Sequence, residues 1–298
     1  MNAQVPARAH PDWDRAGADW PNRDASHFLR GGNTHWHYQR MGSGTPLMLL
    51  HGTGASTHSW RDLLPKLARH HDVIAPDLPG HGFTRAASRH QLSLPEMANS
   101  VGALLAELDV VPRLIVGHSA GAAIALQSVL FNGLEPDKVI GLNAALTPFR
   151  GVAGLIFPPM AKLLALNPVV PWAFSRFARG PGQVRRLIDG TGSKIDDRGI
   201  ELYERLIARS DHVDGALSMM ALWRLDPLLA ALDRLTIPVT LLVGERDSTV
   251  PPHEAQALGR KHKQISVETV PGLGHLMHEE DPTGFAERVH RLSQSQDA

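Results

Sequence analysis

The sequence predicts an α/β fold: a mostly parallel sheet covered by helices on both faces, with a helical cap inserted into it. Three observations carry this expectation. Short β-branched runs alternate with helical patterns across Gly/Pro turns, as in a sheet built from crossover units. One of these runs, at 114–116, turns at once through Gly117-His-Ser-Ala-Gly121 into an Ala-rich helical stretch. Residues 147–225 break the rhythm, because Pro148, Pro158, Pro159, Pro168, Pro171 and Pro181 cut them into short helical pieces with no strand between. The expected division is an N-terminal arm at 1–27, a core at 28–146 and 226–298, and a cap at 147–225.

Taken in order, residues 1–24 are polar and read as loosely ordered, with Trp13 and Trp20 able to tack the arm to the body. Phe28-Leu-Arg30, Gly31-Gly32 and residues 34–41 read as a hairpin, in which His35, His37 and Gln39 alternate with Trp36 and Tyr38. Residues 47–50 form an apolar strand ending in His51-Gly-Thr-Gly54, followed by a helix carrying Trp60, Leu63, Leu64 and Leu67. Residues 73–75 form the next strand, ending in Asp77-Leu-Pro-Gly-His-Gly82. Ser93 with Glu96 has the spacing of a capping box opening a helix through Leu108. After the 114–116 strand and its helix come a strand at 139–142 and Asn143-Ala-Ala. In the cap, Leu155, Ile156, Phe157, Met160, Leu163, Leu164, Phe174, Phe177, Met219, Met220 and Trp223 are too much apolar surface for a loop. They predict a helical layer over the strand C-termini, the rim where open α/β sheets bind ligands. Strands at 239–243 and 265–270 alternate with helices at 252–261 and through Val289.

Composition excludes several functions. The 298 residues carry 30 Lys plus Arg against 30 Asp plus Glu, which argues against nucleic-acid binding or a polybasic membrane surface. Cysteine is absent, so disulfides, thiolate metal sites and a Cys nucleophile are excluded. The N-terminus has no apolar signal core, and no run reaches the roughly 18 apolar residues of a spanning helix. A cytoplasmic protein is expected.

The chemistry centres on Ser119. A strand turning sharply into a helix strains the turning residue, and glycines two before and two after it leave room for the turn. The helix start beneath it leaves N–H groups unpaired. A serine hydroxyl needs a base, and the base needs an orienting acid, each expected just past a later strand. Val239-Thr-Leu-Leu-Val-Gly-Glu-Arg-Asp247 ends one strand in carboxylates, and Val267-Glu-Thr-Val-Pro-Gly-Leu-Gly-His275 ends the next in a Gly-rich loop with a histidine. The expected catalytic set is Ser119, His275 and Asp247, with Glu245 the weaker acid and His278 the rival base. The expected oxyanion donors are the N–H groups of Thr53 and Ala120, and His51 is expected to brace its loop.

These motifs together resemble the α/β-hydrolase superfamily over about residues 28–292. Serine at 119 argues against the dehalogenases and epoxide hydrolases of that fold, which use aspartate there. A closer resemblance is carried by Asp19-Trp-Pro-Asn22, Trp36-His37, His51-Gly-Thr-Gly-Ala-Ser-Thr-His-Ser-Trp60, Gly117-His-Ser-Ala-Gly-Ala-Ala123, Leu142-Asn-Ala-Ala-Leu146, Thr191-Gly-Ser193, Met219-Met-Ala-Leu-Trp223 and Gly274-His-Leu-Met-His-Glu-Glu280. These are similar to the magnesium-chelatase accessory proteins of bacteriochlorophyll synthesis. That resemblance implies a phototrophic bacterium, magnesium chelatase as a partner, a location peripheral to the photosynthetic membrane at most, and a role near magnesium insertion into protoporphyrin IX.

His118, Asn143, His212, Met219 and Trp223 are the candidates to line a substrate pocket. Each has a bland counterpart: a structural histidine, a turn cap, cap core. His35, His37, His58 and His81 join His118 and His212 as histidines able in principle to ligate a magnesium porphyrin, with hydrogen-bonded scaffolding the better reading. Arg185 and Arg186 have the charge to meet porphyrin propionates or simply to face water. No resident metal or cofactor is expected. The leading function is a serine hydrolase cleaving an ester or similar acyl bond of an apolar or tetrapyrrole-linked substrate. The alternatives are a non-catalytic porphyrin-binding accessory with an idle triad, and a carboxylesterase or C–C bond hydrolase unrelated to pigment.

Overall fold

The computed structural model describes residues 9–147, 176, 180 and 182–294. Its strands are β1 (Ser26–Gly31), β2 (Thr34–Gly42), β3 (Thr45–Leu50), β4 (His71–Pro76), β5 (Leu114–His118), β6 (Lys138–Leu142), β7 (Val239–Gly244) and β8 (Ile265–Val270). They form one sheet in the order β1-β2-β4-β3-β5-β6-β7-β8. β3 to β8 pair in parallel, while β1 and β2 form the expected hairpin and β2 joins β4 antiparallel.

The two helical layers are dictated by a period of two. Leu47, Leu49, Val73, Ala75, Val116, Ile140 and Leu142 pack with Trp60, Leu64, Phe285 and Val289 in one cluster. Met48, Leu50, Ile74, Ile115 and Val139 pack in another with the Leu94–Leu108 and Ala120–Phe131 helices. Side chains alternate across a strand, so a strand apolar at both parities needs a helix layer on each face. The Ala120–Phe131 helix is buried almost all round, and Ala122, Ala123 and Ala125 let it lie close to β5.

Three expectations change. The helix around Trp60 is a 3-10 turn, Thr57–Trp60, followed by the short Leu64–Leu67 helix. The Leu94–Leu108 helix starts after Ser93, but Ser93 and Glu96 form no capping box. The preceding 3-10 turn, Arg89–Leu92, presents the His90 carbonyl, and Ser93 Oγ donates to it at 3.1 Å. The capping box lies one turn earlier, between Ser88 and Gln91. The arm, from residue 9 on, is seated rather than loose. Trp13 and Trp20 are buried with Phe83, Leu202 and Leu206, and Trp20 Nε1 donates to Thr57 Oγ1 at 3.0 Å. Asp19 pairs with Arg198 and Arg205.

Between β6 and β7 the described residues hold the helices Gln183–Asp189, Asp197–Ile207, Ser210–Leu222 and Asp226–Ala231, a 3-10 turn at Leu232–Arg234, and no strand. The proline-cut part of the expected cap lies outside the described residues. His212 fastens this insertion across the C-terminal ends of two strands. Its Nδ1 accepts the Gly82 N–H after β4, and its Nε2 donates to the Gly54 carbonyl after β3, each at 3.1 Å. Among the described residues no single helix is long and apolar enough to cross a membrane.

Two buried carboxylates hold the loops. Asp77 accepts the Thr57 and Phe83 N–H groups and His37 Nδ1–H, all at 2.7 Å. Glu279 accepts Ser59 Oγ at 2.6 Å and, from the insertion, Tyr203 OH at 2.8 Å. Burial pushes the Glu279 carboxyl up to about 7. Burial also pushes the imidazoles of His212 and His278 down to about 4 and about 3, and lowers His51, His58, His81 and His118.

Replacing Asp77 by alanine leaves two buried N–H groups and an imidazole without an acceptor. It should cost about 3–5 kcal/mol in a denaturant titration. The pH dependence has two arms. The depressed histidines contribute stability above their ordinary value of 6.5 that is lost as pH falls toward 4 and below. Glu279, raised from 4.5 to about 7, contributes stability that is full below 4.5 and is lost as pH rises from 4.5 to 7. In that window it opposes the histidines, so Glu279→Gln should steepen the rise of unfolding free energy between pH 4.5 and 7 by about 3 kcal/mol. An unchanged rise in that variant would contradict the assignment.

Candidate active site

Ser119 stands between β5 and the Ala120–Phe131 helix with φ 51° and ψ −115°. This left-handed conformation is unfavourable for a residue with a Cβ and persists only where the surroundings impose it. They do so here through the Ser119 N–H, which donates to the Leu142 carbonyl at 2.9 Å, and its carbonyl, which accepts the Ala145 N–H at 3.1 Å. Gly121 is needed for close approach: a side-chain carbon there would lie 2.0 Å from the Leu50 carbonyl oxygen and 2.8 Å from that of His51. The elbow is thus pressed against the loop that carries Thr53. His51 braces that loop as expected, donating from Nδ1 to the Gly52 carbonyl and accepting the Leu78 N–H at Nε2, each at 2.8 Å. Among the described residues neither the Thr53 nor the Ala120 N–H has an acceptor.

The turn after β7 and the loop after β8 meet beside this elbow. His275 Nδ1 lies 2.7 Å from Asp247 Oδ2, and the other carboxylate oxygen accepts the Thr249 and Val250 N–H groups at 2.7 and 2.9 Å. A carboxylate partner makes Nδ1 the protonated nitrogen and leaves Nε2 with its lone pair. The rivals are otherwise occupied. Glu245 accepts the Gly272 N–H at 2.8 Å, and His278 Nε2 meets Ser59 Oγ at 2.8 Å. Ser119 Oγ has no hydrogen-bond partner among the described residues.

Most of the pocket candidates turn out to be spent on the scaffold. Asn143, expected to line the site, is fully buried at φ 45°. Its Oδ1 accepts the Gly244 N–H at 2.7 Å, and its Nδ2 donates to the Gly274 and His275 carbonyls at 2.9 Å each. It therefore ties the acid turn to the base loop. His118 is buried behind the elbow, where its Nε2 donates to the same His275 carbonyl at 2.9 Å. His212 is the clip already described. Met219 is fully buried in the core, and its sulfur accepts the Thr53 hydroxyl at 3.4 Å. Trp223 is half-buried against the same core. Arg185 pairs with Asp197, and Arg186 is exposed.

Among the described residues no group of three or more His, Asp or Glu side chains is placed to hold a metal ion. Clefts of about 150 and 840 Å³ lie at the N-terminal ends of the strands, away from this site, around His70, His71 and His290, and hold none of the candidate residues. Two features escaped sequence reasoning. The Thr191-Gly-Ser193 turn of the insertion touches both loops, and Glu280 accepts the Gly274 N–H at 2.8 Å. Both were visible only as matched motifs without a role.

Comparison with known proteins agrees with this architecture. The model of the alpha/beta hydrolase family matches residues 47–288. The chain is 42% identical over 271 residues to the magnesium-chelatase 30 kDa subunit of Rhodobacter capsulatus, covering 90% of this chain and 94% of that one. It is 30% identical over 243 residues to the dihydrolipoyllysine-residue acetyltransferase component of the acetoin cleaving system of Pseudomonas putida, covering 80% of this chain and 60% of that one. An epoxide hydrolase solved without ligand superimposes with a TM-score of 0.76 at 22% identity, over 89% of this chain and 97% of that one. An esterase from Exiguobacterium antarcticum does so with 0.75 at 20%, over 90% and 99%. At those identities the structures speak to the fold alone. The family match over most of the chain leads to one conclusion: this chain belongs to the alpha/beta hydrolase family, and within it is similar over nine-tenths of its length to the magnesium-chelatase 30 kDa subunit.

Proposed function

We propose that the protein is a serine hydrolase acting beside magnesium chelatase in bacteriochlorophyll synthesis, on an ester or similar acyl bond of an apolar or tetrapyrrole-linked substrate. The observation that carries this reading is the 2.7 Å contact between His275 Nδ1 and Asp247 Oδ2 next to the strained Ser119. Ser119 Oγ attacks the acyl carbon and His275 Nε2 takes its proton. The carbonyl oxygen becomes an oxyanion held by the Thr53 and Ala120 N–H groups, each such donor being worth about 3 kcal/mol. His275 then gives the proton to the departing alcohol, leaving an acyl-serine. Water attacks that ester with His275 again as base; the acyl–Oγ bond breaks, the acid leaves and His275 returns the proton to Ser119 Oγ, with Asp247 orienting the ring and stabilising its cation throughout.

The 42% identical relative named as a chelatase subunit supports a second reading, a porphyrin-binding accessory with an idle triad. Magnesium insertion cleaves no acyl bond. The two readings part at Ser119. The wild-type chain should take a fluorophosphonate adduct located on Ser119 by mass spectrometry. Ser119→Ala should take none, and His275→Ala should label about a thousand-fold more slowly. Titration of magnesium protoporphyrin on the same samples reports binding. An unlabelled wild type that binds the porphyrin as well as Ser119→Ala does would overturn the hydrolase in favour of the accessory.

A further inference from the structure

The Thr191-Gly-Ser193 turn belongs to the insertion, yet its hydrogen bonds run to two loops of the core. The His275 N–H donates to the Thr191 carbonyl at 3.3 Å, and the Leu276 N–H to Ser193 Oγ at 2.8 Å. On the acid side the Ser248 N–H reaches the same Thr191 carbonyl at 3.4 Å, and Ser248 Oγ donates to the Gly190 carbonyl at 2.6 Å. One carbonyl therefore bridges His275 to the residue after Asp247. Glu280 closes the junction, accepting the Gly274 N–H at 2.8 Å and the Lys194 N–H at 3.0 Å, with the Arg246 guanidinium 3.7 Å away. Gly192 has φ +81°, and a side-chain carbon on it would lie 1.9 Å from the Arg246 carbonyl oxygen.

We infer that the 190–194 turn is a positioning element for the His275–Asp247 pair, so that the insertion is part of the scaffold of the site as well as its cover. The inference rests on the reading of that pair as catalytic. Asp247 and His275 lie beyond the ends of β7 and β8, where strand pairing no longer sets their separation. A displacement of about 1 Å is enough to open a short hydrogen bond and misalign a base. Asn143 and His118 grip the His275 carbonyl from the core, and the turn grips its N–H from the insertion. The insertion from Gly190 onward cannot lift away as a rigid lid without releasing His275. Any movement of this part on substrate binding is felt directly by the base.

The test uses the full chain with Ser193→Ala and Ser248→Ala, neither of which touches Ser119. Two quantities are read. One is fluorophosphonate modification of Ser119, resolved into its maximal rate and half-saturating concentration. The other is the far-downfield proton signal of His275 Nδ1–H, identified by its loss in His275→Gln and so distinguished from His37, which also faces a carboxylate. In Ser193→Ala the maximal rate should fall about ten-fold with the half-saturating concentration unchanged, and the proton signal should broaden or vanish. Ser248 is exposed, so Ser248→Ala should fold; it should lose about three-fold in the same direction, and it decides the matter if Ser193→Ala is unfolded. Rates and signals equal to wild type in the folded variants would overturn the positioning role, even if their melting temperatures fall. If the wild type does not label, the hydrolase reading fails, and the proton signal alone decides the role of the turn.

Discussion

The strained turn at Ser119 is the constraint from which the rest of the open edge follows. A side chain at φ 51° costs on the order of 1–2 kcal/mol, and it relaxes unless the chain on either side has nowhere to go. β5 lies in the middle of the sheet, paired to β3 and β6 at once. The first turn of the following helix is pressed against the Leu50 and His51 carbonyls. The serine hydroxyl is left at a half-exposed tip, beside N–H groups of the residue that follows and of the neighbouring loop that have no acceptor among the described residues. The remaining elements bring an imidazole and a carboxylate to this one place.

What was legible in the sequence was what depends on near neighbours. The strands, the elbow turn and the meeting of Asp247 with His275 follow from spacing within a few residues of a strand end, while the use of that pair in catalysis is a proposal. The roles of Asn143, His118 and His212 were not legible, because each is decided by backbone met far away in sequence. Asn143 bonds to groups 101, 131 and 132 positions on, and His212 reaches back 130 and 158. Proximity to the elbow suggested a lining role for Asn143 and His118. Both nevertheless point into the gap between two loops, where unpaired backbone groups had to be satisfied. The Ser93–Glu96 box failed for the same kind of reason: a carbonyl from the preceding turn competed for the serine.

Two of the buried histidines are explained by this demand. An imidazole offers a donor and an acceptor on opposite sides of a rigid ring, so it can join a carbonyl of one loop to an N–H of another. His51 does this between Gly52 and Leu78, and His212 between Gly54 and Gly82. Burial keeps both rings neutral, the form in which one nitrogen accepts. Of the 17 histidines, these two serve as neutral cross-links that add loop order without adding to the buried charge.

The same logic bears on whether the triad is used. The His275–Asp247 pair is ambiguous by itself, because the loops that carry it also join the insertion to the core and would be worth ordering in a protein that only bound a ligand. The serine is different. The strand-to-helix turn needs a residue at positive φ, and a glycine would make that turn without steric cost. A serine there pays in strain, and among the described residues its hydroxyl forms no hydrogen bond in return. A hydroxyl that adds no hydrogen bond to the fold among the described residues is what the proposed nucleophile requires. The hydrolase proposed above therefore rests on the strained serine as much as on the better-bonded His275–Asp247 pair.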